Sequence, residues 1–153
     1  MQKRKAIYVK KSVIVVSIVA AAMFLAACQQ DRSEKMVLLD EKISAVDISE
    51  SKGLGGMNEE VLMSFTDKDS LSIFKTAITT ARKQPGKVDL TEPDYDVMVQ
   101  YESEEGQLPT HGIHLWLGDE GDASTFVYIG DETVYHAPPE ITKQLRGLIV
   151  SEG

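Results

Sequence analysis

Cys28 is the only cysteine of the chain, and it follows Leu25-Ala26-Ala27. A thiolate is the nucleophile here most readily alkylated. Small Ala26 and Ala27 would let the backbone enter a peptidase cleft. The remaining chemistry-bearing types are scattered. His111 and His114 are three apart. On a strand, residues so spaced point to opposite faces and cannot converge on a metal. His136 could join one of them by cross-strand pairing, but two imidazoles fall short of a zinc ligand set. Asp94 and Asp96 project from one face of one strand, about 6.6–7 Å apart. That matches the carboxyl separation of an inverting glycosidase, yet neighbours on one strand do not form the two walls of a substrate groove. Solvated positions on a half-exposed strand are the simpler reading.

Other constellations are weaker still. Asp119, Glu120 and Asp122, with Asp131 and Glu132, fall near the ends of adjacent expected strands, where an extracellular domain could bind calcium weakly. The run is no EF-hand loop, and Gly and Asp are ordinary turn residues. Gly53-Leu54-Gly55-Gly56 lacks the Gly-Lys-Ser/Thr of a phosphate loop and suits a turn between strands. Ser124 has no Gly-x-Ser-x-Gly elbow around it. Cys28 aside, the chain offers no nucleophile, no metal set and no paired acid and base. The reading is non-enzymatic, without a cofactor. His114 and Trp116 stand out as a binding pair. If Ile113, Leu115 and Leu117 face the helices, this polar ring and the sole tryptophan lie on the open side of the sheet. The alternative is that the 102–110 or the 53–57 loop folds over Trp116.

The elements that carry these residues begin after an address. Lys3, Arg4, Lys5, Lys10 and Lys11 precede Ser12–Ala27, a run without charge. This is the n-region and h-region order of an export signal, and it is short of the ~20 apolar residues of a membrane span. Leu25-Ala26-Ala27-Cys28 resembles the lipobox of bacterial lipoproteins, which implies cleavage between Ala27 and Cys28 and lipid on the sulfur, so residues 1–27 read as a removed lipoprotein signal peptide and 28–40 as a lipidated cysteine with a flexible tether. Two acyl chains give stable anchoring where one does not. From Cys28 onward 11 basic residues face 24 acidic ones, a net charge of −13. Such a body repels nucleic acid.

Residues 41–153 read as a single domain. Strands are expected at 43–49, 61–65, 94–101, 113–117, 125–129 and 133–136, from period-two alternation and β-branched content. Asp67 or Asp69 caps a helix whose stripe is Leu71, Phe74, Ile78 and Ala81, with Arg82 and Lys83 at its negative end and Pro85-Gly86 as its stop. Pro138 and Pro139 open a last helix with Ile141, Leu145, Leu148 and Ile149 inward. Four strands in a row with short loops imply an antiparallel meander. The fold class is α+β: a mostly antiparallel sheet of five to six strands with two helices packed on one face.

Ser51-Lys52-Gly53-Leu54-Gly55-Gly56-Met57-Asn58, Glu92-Pro93-Asp94-Tyr95-Asp96, His114-Leu115-Trp116-Leu117-Gly118 and Tyr128-Ile129 ahead of Thr133-Val134-Tyr135 resemble the YhfM-like family. The similarity runs from about residue 41 to 150 with the motifs in order. The family consists of small lipoproteins of Gram-positive, spore-forming bacteria, so the resemblance implies a lipid anchor and an envelope with one membrane. It implies no activity. Residue 54, often aromatic in that family, is leucine here.

The expected task is therefore that of a lipid-anchored module on the extracytoplasmic face of the cell membrane, binding an envelope protein or a small wall-associated ligand. A sensor or inhibitor of a membrane protein is a variant of it. The alternative is an envelope enzyme acting on wall or peptide material. It would use Asp94, Asp96 or a histidine as acid or base in a deep pocket.

Overall fold

The computed structural model describes residues 34–103, 106 and 109–150. The signal segment, Ala27, Cys28 and the run to Ser33 lie outside the described residues.

The alternation read from the sequence is realised in one antiparallel sheet. Its strands are β1 (Ile43–Glu50), β2 (Val61–Phe65), β3 (Arg82–Lys83), β4 (Tyr95–Tyr101), β5 (His111–Trp116), β6 (Ser124–Tyr128) and β7 (Tyr135–Ala137), in the order β2-β1-β4-β5-β6-β7-β3. All pairings are antiparallel. One face carries Val46, Ile48, Val97, Val99, Ile113, Leu115, Phe126 and Tyr135 into the core. Helix α1 (Lys68–Thr80) starts at Asp67, whose carboxylate accepts from the Ser70 N–H at 2.9 Å. Helix α2 (Pro139–Ile149) has Pro139 in its first turn, where no N–H is needed. Phe74, Ile78, Leu145 and Ile149 of the two helices meet the same core face.

The sheet has seven strands rather than five or six. The added one comes from a segment whose side chains suit a helix C-terminus. Helix α1 ends at Thr80, and Arg82 and Lys83 pair with His136 and Tyr135 of β7. Tertiary pairing outweighs the helical propensity of Arg and Lys there, because the edge of β7 offers backbone partners.

The folded body also begins earlier than residue 41. Met36 and Leu38 belong to the core at 1% and 9% exposure. Lys83 N–H donates to Glu34 C=O at 2.8 Å, Met36 N–H to Ala81 C=O at 3.0 Å, and Lys35 bridges Arg82. The stretch 34–38, expected as tether, thus covers the β3 edge. Met36 and Leu38 gain burial that a solvated tether would forgo.

One connection has consequences for the site. β3 is an edge strand, whereas β4 lies between β1 and β5. Residues 84–94 must therefore pass over β7, β6 and β5, and they do so on the face away from the helices. Trp116 Nε1–H donates to Thr91 C=O at 3.1 Å, which holds this strap against that face.

Candidate functional site

On the face that the strap crosses lies a row of three polar side chains and a valine. Ser49, Asp96, His114 and Val127 are successive cross-strand neighbours on β1, β4, β5 and β6. Their parity is opposite to that of the core residues, so they share the face that carries Trp116. Asp96 is fully buried and His114 is 2% exposed. His114 Nδ1 lies 2.8 Å from Asp96 Oδ1. A carboxylate accepts, so a ring proton is assigned to Nδ1. The other carboxylate oxygen accepts from Asn58 N–H at 2.8 Å. The 51–60 connection is thereby drawn over this part of the sheet, with Asn58 Nδ2 donating to Glu50 C=O at 2.9 Å. Trp116 packs edge-on to His114 with ring centroids 6.3 Å apart.

Asp96 is thus not a solvated position on a half-exposed strand. The face is roofed, and its carboxylate is satisfied by one side chain and one backbone amide. Two atoms beneath the roof stay without a hydrogen-bond partner among the described residues, His114 Nε2 and Ser49 Oγ. A histidine oriented through Nδ1 by a carboxylate, with a free Nε2, has the arrangement of a general base. What it lacks is access: no groove among those described below is lined by Asp96 or His114. Trp116 is half-buried. Among the described residues, Pro109 and Thr110 lead into the other end of β5, and the 51–60 connection reaches Asp96. The strap covers Trp116 itself.

The remaining sequence candidates are dispersed. Asp94 is exposed, and its Oδ2 accepts from Leu117 N–H at 2.9 Å, joining the ends of β4 and β5. His111 faces the core side, opposite His114, with Nδ1 2.6 Å from the Tyr101 hydroxyl. His136 pairs across the sheet with Thr125 and Arg82 rather than with another histidine. Burial pushes the imidazoles of His111 and His136 below the ordinary value. Asp119, Glu120 and Asp122 precede β6 while Asp131 and Glu132 follow it, so the two acidic groups lie at opposite ends of that strand. Asp131 is engaged locally. Amides of Thr133 and Glu132 hold its carboxyl below the usual range. Among the described residues no three or more His, Cys, Asp or Glu are arranged to hold a metal ion. Ser124 is buried and donates to Leu117 C=O at 2.7 Å, a structural hydroxyl. Gly53 adopts φ 100° in its turn, as a glycine turn requires.

Two grooves open at opposite ends of the sheet. One, of about 530 Å³, is bordered by Glu50, Asp94 and Asp119, with Leu117 and Arg146 beside them. It gathers three carboxylates that the sequence scatters over 69 positions. The other, of about 460 Å³, is bordered by Lys42, Lys68 and Lys75. Neither groove was legible in the sequence, because each draws on strand ends and a helix far apart in the chain.

The fold is similar to that of a thioesterase-like protein from Clostridium sporogenes known from a crystal structure. The two share 15% identity at a TM-score of 0.58, over 74% of this chain and 98% of that one. At that identity the likeness concerns the fold alone. The YhfM protein family matches residues 40–152, and the chain belongs to that family. No curated protein matches the sequence.

Proposed function

We propose that this chain is a lipoprotein held to the outer face of the cell membrane through Cys28, and that its domain binds an envelope ligand rather than transforming one. The observation that carries the binding half is the sealing of the Asp96–His114 pair. Both carboxylate oxygens are engaged within the protein, and the pair borders none of the grooves. The groove at the end of β4 and β5 is the better ligand site. Its volume of about 530 Å³ lies in the range of small-molecule sites. Glu50, Asp94 and Asp119 favour a ligand with an amine, such as a peptide of the cell wall. The anchor half rests on the order of basic start, uncharged run and Leu25-Ala26-Ala27-Cys28.

Each half has its own test. Lipid labelling of wild type and not of Cys28→Ala supports the anchor, and equal labelling refutes it. Peptides released from the cell's own wall should be retained by the wild-type chain and about tenfold less by Asp94→Asn with Asp119→Asn, a loss of ~1.4 kcal/mol in binding. Equal retention by the double variant removes the groove from the proposal.

The free Nε2 of His114 favours a second reading, ester or thioester hydrolysis after the strap lifts, in keeping with the name of the Clostridium sporogenes protein. Turnover of a chromogenic short-chain thioester that vanishes in His114→Gln would support it. No turnover above the buffer rate removes it.

A further inference from the structure

We infer that the lysine-lined groove docks onto the phosphate headgroups of the bilayer that carries the anchor, so that the acidic groove is turned away from the membrane. The inference rests on the proposed anchor for its setting, and on two observations for its content. The first is the groove's lining. Lys68 and Lys75 stand two turns apart on one side of α1, and Lys42 joins them from the start of β1. Ile43 and Leu71 add apolar surface. The Lys42 ammonium is balanced by both carboxylate oxygens of Glu102, at 2.8 and 2.9 Å. Lys68 and Lys75 have no ion pair among the described residues and leave the lining with excess positive charge. In a body of net charge −13 this is a site of reversed sign. Lysines close to an anionic lipid surface are each attracted to it.

The second observation is the course of the chain after it enters at Glu34, beside Lys83 of β3. Ile43 opens β1 at the end of the sheet where β4 closes with Tyr101 and β6 with Tyr128. Residues 37–39 run along this same end, with Val37 and Leu39 N–H groups donating to the Tyr128 and Tyr101 hydroxyls at 3.0 and 3.4 Å. The lysine groove is at this end too, since it includes Lys42 and Ile43. From Cys28 to Glu34 is six residues, a reach of at most ~22 Å when extended. The lipid would therefore hold this end of the domain near the headgroups. Glu50, Asp94 and Asp119 close the strands at the other end.

Amine acylation of the full chain reconstituted in vesicles, read residue by residue by mass spectrometry, tests this. Lys52 and Lys143 are the internal controls, at the acidic end and exposed by 68% and 74%. In phosphatidylglycerol vesicles Lys42, Lys68 and Lys75 should react several-fold more slowly than in phosphatidylcholine vesicles. The controls should not change, and high salt should erase the difference. In Lys68→Gln with Lys75→Gln, Lys42 should lose its protection. Equal rates in the two lipids, or uniform slowing of all five lysines, overturns the docking. Protection by dissolved glycerol 3-phosphate in phosphatidylcholine vesicles overturns it as well, by assigning the groove to a free phosphate ester. The mass of Cys28 in the same sample reports the anchor separately. A free thiol there refutes the anchor, while the uncut apolar run keeps the chain on the vesicle and the lysine pattern still decides the docking.

Discussion

His114 and Asp96 show how a side chain's meaning depends on its neighbours. Alone, each is a polar residue on an alternating strand. Side by side and sealed, they are a matched donor and acceptor with no water to replace either. Asp96→Ala strands both His114 Nδ1–H and Asn58 N–H, and each stranded buried group costs about 1–3 kcal/mol. Urea unfolding followed by Trp116 fluorescence should show that loss. Asp96→Asn, which can still accept from Asn58, should lose less. Titration separates other residues. His111 and His136 have imidazoles depressed by burial. As pH falls through about 6.5 the unfolded chain takes up protons on these residues before the folded one does, so stability decreases across that interval and levels off below the folded values. Tyr101 reinforces this at His111. Its hydroxyl lies 2.6 Å from Nδ1, and a bond donated by that hydroxyl to the neutral ring is one the doubly protonated ring cannot receive. The midpoint of thermal unfolding measured from about pH 8 to 5 should therefore fall, and His111→Gln should fall less steeply.

Among the elements, the strap over residues 84–94 and the leading segment 34–38 do the work that regular structure does elsewhere. The strap is pinned through the Trp116 indole, with Pro93 buried and Val88 and Leu90 half-buried. Trp116→Phe keeps an aromatic ring and removes the N–H, a loss of about 1 kcal/mol confined to the strap. Tryptic cutting after Lys87 should accelerate in this variant while hydrogen exchange in β4 and β5 stays unchanged. A simultaneous speeding of both would mean that the strap and the sheet open together. The leading segment is tested at Met36, which is 1% exposed. Met36→Ala should cost about 2–5 kcal/mol, the range for emptying a buried position of that size. A residue in a free tether would cost nothing. Gly118 is a third fixed point. Its φ of +73° and a Cβ that would meet Ala123 C=O at 2.8 Å leave no room for Gly118→Ala.

For the whole molecule, one core must suffice, since the only cysteine is the one proposed for lipid and no disulfide can form within the chain. The core meets that need by recruiting both helices, six strands and the leading segment into one cluster. The charge is unevenly spread. Acidic lining marks one end of the sheet and lysine lining the other. A tethered body with such polarity presents one end to the lipid and the other to the wall, which ties the proposed ligand groove to the proposed anchor. The expected outcome is that reversing the lysine groove, through Lys68→Glu with Lys75→Glu, leaves the thermal midpoint within about 1 °C, because surface changes stay within ~0.5 kcal/mol. Lysine protection on anionic vesicles should be lost in the same variant.

The sequence by itself determined the elements: alternation and β-branched content placed β1, β2, β4, β5 and β6 within two residues of their observed ends, Asp67 or Asp69 and the pair Pro138-Pro139 marked the helix starts, and motif order pointed to the YhfM family. These are local signals, since side-chain alternation and caps act over a few residues. Tertiary structure alone decided the rest. Arg82 and Lys83 became a strand because β7 offered an edge, and Met36 and Leu38 became core because the leading segment could lie across it. Asp96 was covered because the β1–β2 connection folds onto it through Asn58, and Trp116 was covered because the link from an outer strand to an inner one has to cross the sheet. Contacts between distant segments depend on strand order, and no periodicity along the chain records that order.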